Sequence, residues 1–315
     1  MIRAGFILLF ALVPLLLTPW NYELFEYNKM MMTYALTVVI VGAWIIKMVA
    51  QKEIRITRTP LDIPIILFFA SQLTSAIFSI DHHASWFGYY SRFNGGMWSV
   101  VSYILLYYAF VSNLANWSNW TKLLKAALSS GIIVAIYGVL ERLGIDKNLW
   151  VQDVQNRVFS TLGQPNWLGA YLVALSPIAM GFAQLKGKTA KNMLFSMWHV
   201  ALVILFFTVL LFTRSRSGLV GFAVADIVFW GFVFLRSRLS LKAPQGLALP
   251  FIFCHVAFGI AVFLNGTTID FIDRWFTKTS IRQNDKISET APSPYTAPLL
   301  EYGGTESGTI RKYVW

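Results

Sequence analysis

The chain has 315 residues, 56% hydrophobic and only 13% charged, with a net charge of +11. A soluble chain carries about a quarter charged residues, whereas the apolar residues here fall in runs of about 17 to 21, the length that spans a bilayer. A soluble fold is excluded, and so is nucleic acid as the partner of the positive charge, because the bases sit in short loops where they orient spans and meet lipid headgroups.

Nine apolar runs predict an all-α integral membrane protein with about nine transmembrane helices. They lie at residues 4–20, 30–50, 60–80, 97–112, 123–140, 166–185, 193–213, 218–235 and 248–265. Arg3 ahead of a short apolar run resembles a signal peptide. No small-x-small cleavage site follows, however, and Trp20 and Tyr22 suit interfacial anchors, so the run reads as a retained helix. One set of alternate loops, holding Arg3, Lys47, Lys122 and Lys125 among others, has 13 bases against 7 in the other set. The positive-inside rule makes the richer set cytoplasmic and places the N-terminus inside. Residues 1–265 form the membrane domain, and 266–315 begin an extracytoplasmic loop. No matching pair of Gly/Pro-broken spans is visible, which disfavours a secondary transporter built from inverted repeats.

The loop after the third span, Asp81 to Gly96, mixes aromatics with Arg92. That composition suits sugar stacking with one anionic contact, or an interfacial aromatic belt with a snorkelling arginine. Before the sixth span comes Arg157-Val-Phe-Ser-Thr-Leu-Gly-Gln-Pro-Asn-Trp-Leu-Gly-Ala-Tyr171. Arg157 is a candidate for ligand contact; Asn166 serves either as a helix cap or as a ligand contact. Between the seventh and eighth spans stands Thr213-Arg-Ser-Arg-Ser-Gly218. Arginine beside the hydrocarbon core is costly without a partner, and its guanidinium fork matches phosphate oxygens two at a time. Arg214 and Arg216 therefore point to an anionic, phosphate-bearing, lipid-linked substrate at the outer surface, the alternative being snorkelling into headgroups.

Gly218 and Gly221 would let a neighbouring helix or lipid chain approach closely. Asp226 is the one acid deep in a span, either functional or paired with a neighbouring helix. The single cysteine, Cys254, lies in an apolar run and reads as packing. No His, Cys or carboxylate spacing suggests a metal site, and no cofactor fingerprint is present. The final stretch, Gly303-Gly-Thr-Glu-Ser-Gly-Thr-Ile-Arg-Lys-Tyr-Val-Trp315, turns apolar as the chain stops, which suggests the N-terminal part of a longer protein.

Taken in order, these motifs resemble the O-antigen ligase/polymerase superfamily. The 157–171 run is similar to its Arg-x-x-Ser-Thr-x-Gly-Asn-Pro-Asn-x-x-Ala segment, departing at Gln164, where the family often has Asn. Leu211-Phe-Thr-Arg-Ser-Arg-Ser-Gly218 resembles its Thr-x-Ser-Arg motif and places the family arginine on Arg216. The last stretch is similar to the start of its Arg-x-x-x-Trp helix, giving Arg311 and Trp315. The resemblance implies a metal-independent glycosyltransferase of the bacterial inner membrane, acting in cell-envelope synthesis. Its donor would be a glycan on undecaprenyl diphosphate, and its acceptor a lipid, protein or glycan. Arg216 and Arg311 would be catalytic, with Arg214, Arg157, Arg92 and Asn166 binding substrate, and a catalytic histidine lying further along the family's chain. The rival from another class is a carrier or flippase for an anionic or lipid-linked substrate, which would need Asp226.

Overall fold

Proline sets the first departure from the expected spans. A computed structural model describes residues 1–18, 23–90, 92–150, 152–184, 190–239 and 248–267. Within them α1 runs from Ile2 to Leu12 and closes in a 3₁₀ turn, Val13–Leu15, around Pro14. Proline has no N–H to continue the ladder and its ring crowds the preceding turn, so the helix stops well short of residue 20. The expectations at Trp20, Tyr22, Arg311, Trp315 and the 268–315 segment fall outside the described residues.

The remaining elements follow the apolar runs. They are α2 (Glu26–Gln51), α3 (Asp62–Ile77), a one-and-a-half-turn α4 (His82–Phe87), α5 (Met97–Asn113) and α6 (Trp117–Arg142). After a second 3₁₀ turn at Ser160–Leu162 come α7 (Pro165–Ala183), α8 (Ala190–Phe212), α9 (Arg216–Leu239) and α10 (Ala248–Asn265). No strand occurs among the described residues. Each expected span thus overlaps a helix, the first only as far as Leu12. Five of them, α2, α6, α7, α8 and α9, contain stretches long and apolar enough to cross a membrane. At 1.5 Å per residue the 26 residues of α2 or α6 extend about 39 Å, beyond the roughly 30 Å hydrocarbon core. The 17 residues of α5 reach only about 25 Å.

Large apolar side chains lie outward along these helices, among them Val38, Ile46, Val224, Ile227 and Phe232, each more than half exposed. In water such a surface would drive aggregation; in lipid it is the expected exterior. The protein is a multi-pass membrane protein.

Inside, α7 packs against α8, α9 and α6 around Leu168, Leu172, Val203, Phe206 and Leu210, all fully buried. A second core joins α1, α2 and α5 through Phe6, Ile40, Trp44 and Leu106. α6 links the two, with Leu123 in the second core and Ala127 through Ala135 in the first. The connectors between α5 and α6 and between α8 and α9 are three residues each, too short to do anything but reverse direction. Successive helices therefore bring the ends of α1, α6 and α8 to the same level as the starts of α2, α7 and α9.

Candidate functional site

That shared level is built on a pinned stretch, residues 158–161. Glu141, fully buried at the end of α6, accepts from the N–H groups of Phe159 (3.1 Å) and Ser160 (2.6 Å) through one oxygen. Ser160 Oγ donates to Val134 O, Thr161 Oγ1 donates to Pro14 O, and Val158 N donates to Phe212 O. Lys29, near the start of α2, donates to three carbonyls: Thr161 (2.6 Å), Leu16 (2.9 Å) and Phe25 (3.3 Å). Phe25, Trp150 and Phe159 pack ring on ring beneath them. Gly163 closes the 3₁₀ turn at φ +77°, with the Phe25 ring where a Cβ would go. Only glycine meets both conditions without strain.

Arg157 projects from this stretch into the exposed surface. Its Nε donates to Thr213 O and its Nη2 to Asn166 Oδ1, both at 3.3 Å. Asn166 is not the cap of α7. Gln164 holds that position and Pro165, with φ already helical, takes the first turn; Asn166 is left to present its amide oxygen to Arg157. Next to it, Trp167 lies 5.6 Å beneath the Arg92 guanidinium, and Arg92 Nε pairs with Glu26 at 3.1 Å. The Arg92 loop is itself held by Tyr34 OH donating to Phe93 O, and Tyr103 OH to Asn94 Oδ1.

The connector that carries Thr213 alternates buried and exposed side chains. Thr213 and Ser215 are buried; Arg214 and Arg216 are exposed. Thr213 Oγ1 donates to Leu210 O and accepts from Ser215 N. Ser215 Oγ accepts from Gly218 N, capping α9. With Arg214 in the left-handed region at φ +50°, the two small hydroxyl residues fold inward and the arginines are turned out. Arg142 lies within electrostatic reach of Arg214 and donates to Gln155 O while stacking on Phe212.

The structure thus joins Arg157, Asn166 and the Thr213 connector directly, and Arg92 through Trp167. Arg214 and Arg216 follow Thr213 on the same connector and the first residue of α9. The N-termini of α7 and α9 add their positive dipole ends at this level. Chemically the arrangement is a set of guanidinium donors suited to oxyanions, in which Arg157 and Arg92 are held in place and Arg92 is already paired with Glu26. Among the described residues no group of three His, Cys, Asp or Glu side chains converges to hold a metal.

Sequence reasoning missed Lys29, Glu141, Glu26 and Trp167. A signal was present for two of them. Lys29 stands in the first turn of a helix and Glu141 in the last, each on the end where its charge opposes the helix dipole. A charge so placed needs a partner elsewhere.

A separate polar cluster lies between α9 and α10. Asp226 Oδ2 meets His255 Nε2 at 3.0 Å, and His255 Nδ1 meets Phe251 O at 2.8 Å. Phe251, Phe258 and Trp230 enclose the imidazole. Asp226 Oδ1 and Trp230 Nε1 are buried with no hydrogen-bond partner among the described residues.

No family model matches the chain, and neither a curated protein nor a solved structure matches it.

Proposed function

We propose that this protein transfers a glycan from a polyprenyl-diphosphate donor at the outer face of the bacterial inner membrane, in the manner of O-antigen ligases and polymerases. Nine spans, with the N-terminus inside, would set the arginine level at that face. The observation that carries the reading is the pair of bonds from Arg157 to Asn166 and Thr213, which gathers segments far apart in sequence into one cationic surface.

In the reaction, the bond between the anomeric carbon and the diphosphate oxygen breaks as an acceptor hydroxyl or amide of a lipid, protein or glycan attacks that carbon. The acceptor proton passes to a base, and undecaprenyl diphosphate leaves. Arg216 would stabilise the charge growing on the diphosphate. Arg157, Arg214 and Arg92, with Asn166, would hold the donor in place. Fixed donors aimed at developing charge cost no reorganisation at the moment of reaction. Trp167, already under a guanidinium, offers a ring face for a sugar.

The test is transfer by the full protein in detergent micelles, supplied with a purified lipid-linked donor. Losing one such donor group costs on the order of 100- to 1000-fold in rate. Arg216→Ala should show that loss while membrane insertion is kept, and Arg216→Lys, which retains charge without the fork, should fall between. Unchanged transfer by Arg216→Ala sinks the reading. A carrier is the second reading, favoured by the Asp226–His255 pair within the spans. Transfer in micelles, where no second compartment exists, excludes it.

A further inference from the structure

At the opposite end of α2 and α6, a full helix length or about 39 Å away, a cavity of about 350 Å³ opens between the starts of α1 and α6 and the ends of α2 and α5. Its polar lining is Arg3, Lys47, Asn113 and Asn119; Ile2, Ala43, Ile46 and Leu114 form its apolar wall. We propose that this cavity binds the phosphate of an anionic phospholipid headgroup from the adjoining leaflet, with the upper acyl chain against the apolar wall.

Donor and acceptor accounting comes first. Lys47 is half-buried, and its ammonium donates to Asn113 Oδ1 at 2.8 Å. Arg3 donates to Asn119 Oδ1 at 3.3 Å. Asn113 Nδ2 in turn donates to Ala109 O, which fixes the amide so that its oxygen faces the lysine. Each cation thus spends one donor on a neutral oxygen and keeps the rest: two on the ammonium, four on the guanidinium. Among the described residues the carboxylates within ion-pair distance of a base are Glu26, at Arg92, and Asp226, at His255, so no described carboxylate pairs with Arg3 or Lys47. The lining offers donors from two basic side chains and contains no acidic residue.

Depth comes from a second set of residues. Trp117 and Trp120, in the first turn of α6 beside Asn119, are 70% and 39% exposed. Exposed tryptophans concentrate at the headgroup level of a bilayer, where one side of the ring is apolar and the other wet. The positive start of the α6 dipole lies at the same level. A phosphate diester with attached acyl chains fits a donor-rich floor beside an apolar wall; a free phosphate would use the floor alone. Basic pockets between membrane helices bind anionic headgroups on this principle. Nothing here depends on the transfer reading, which concerns the other end.

The experiment is native mass spectrometry of the full chain in detergent, titrated with phosphatidylglycerol or with phosphatidylcholine of identical acyl chains. The protein should retain phosphatidylglycerol selectively. Arg3→Gln and Lys47→Gln should each weaken it about fivefold, and the double variant about thirtyfold, the equivalent of about 1 kcal/mol per base. The charge-preserving Arg3→Lys and Lys47→Arg should bind as the parent does, which separates loss of charge from loss of fold. Equal retention of the two lipids, or a double variant that still binds phosphatidylglycerol as tightly as the parent, overturns the proposal. Displacement of the lipid by an equal concentration of inorganic phosphate also overturns it, since the site would then serve the free anion.

Discussion

Two polar regions of this molecule handle charge in opposite ways. At the end where α6 and α8 stop and α7 and α9 start, Arg157 is held by a carbonyl and an amide oxygen, both neutral. Between α9 and α10, Asp226 and His255 are held by each other. A cation bonded to neutral oxygens keeps its net charge and projects it outward; an acid bonded to an imidazole spends that oxygen on a partner inside the protein. The difference separates a surface that invites an anion from a pair that closes on itself. Position reinforces the contrast. The arginine heads are exposed, whereas the pair is walled by Phe251, Phe258 and Trp230.

The sharpest way to break that comparison is to remove one member of the closed pair. Asp226→Ala takes the partner from an imidazole that is 35% exposed, so the cost falls at the low end of the range for buried pairs, about 3 kcal/mol. His255→Phe alone strands the carboxylate and should cost a similar amount. The double change Asp226→Leu with His255→Phe removes both polar partners together and should return most of the stability, because an apolar pair of similar volume needs no desolvation. Unfolding in mixed micelles, followed by loss of helix signal, reads all three. If the single and double variants are equally destabilised, the pair is not self-contained and the distinction drawn above fails.

A smaller effect is expected where the two regions differ in how their scaffolds are held. Lys29 ties Leu16, Phe25 and Thr161 together through one ammonium. Lys29→Met keeps the apolar stem and removes three charge-assisted donors. Each such bond contributes about 1.5–3 kcal/mol singly, but three carbonyls sharing one head do not add, so a loss of about 2–3 kcal/mol is expected. Proteolysis in the 143–164 connector should rise while the α9–α10 pair stays intact. Unchanged cleavage would show that Lys29 does not hold the arginine level in place.

The all-helical class was legible because length and apolarity mark it, and five of the expected runs are helices long and apolar enough to cross a membrane. The connector Thr213-Arg-Ser-Arg-Ser was legible as a place for two arginines, but not the alternation that buries Thr213 and Ser215 between them. Partners were not. Arg157 and Thr213 are 56 residues apart, and Asp226 and His255 are 29 apart; only packing brings them together. Local signals also misled where two compete. Asn is a good cap, but Pro165 beside it claimed the first helical position and moved the cap to Gln164. In the first run, apolarity extends past Pro14 while the helix does not.

The finest test concerns the hydroxyl that turns the two arginines outward. Ser215 Oγ accepts from Gly218 N at 3.1 Å, and Ser215 O accepts from Leu219 N at 3.0 Å. Ser215→Ala keeps the backbone bond and loses the cap, a change worth about 1 kcal/mol. The amide of Gly218 should then exchange with solvent roughly fivefold faster, the same energy read as a rate. Amides around Asp226, further along the same helix, should be unaffected, because fraying is confined to the first turn. Protection lost along the whole of α9 would mean that the cap and the Asp226–His255 pair act as one unit. Protection lost at the first turn alone keeps them apart and makes the cap a local fixture of the arginine surface.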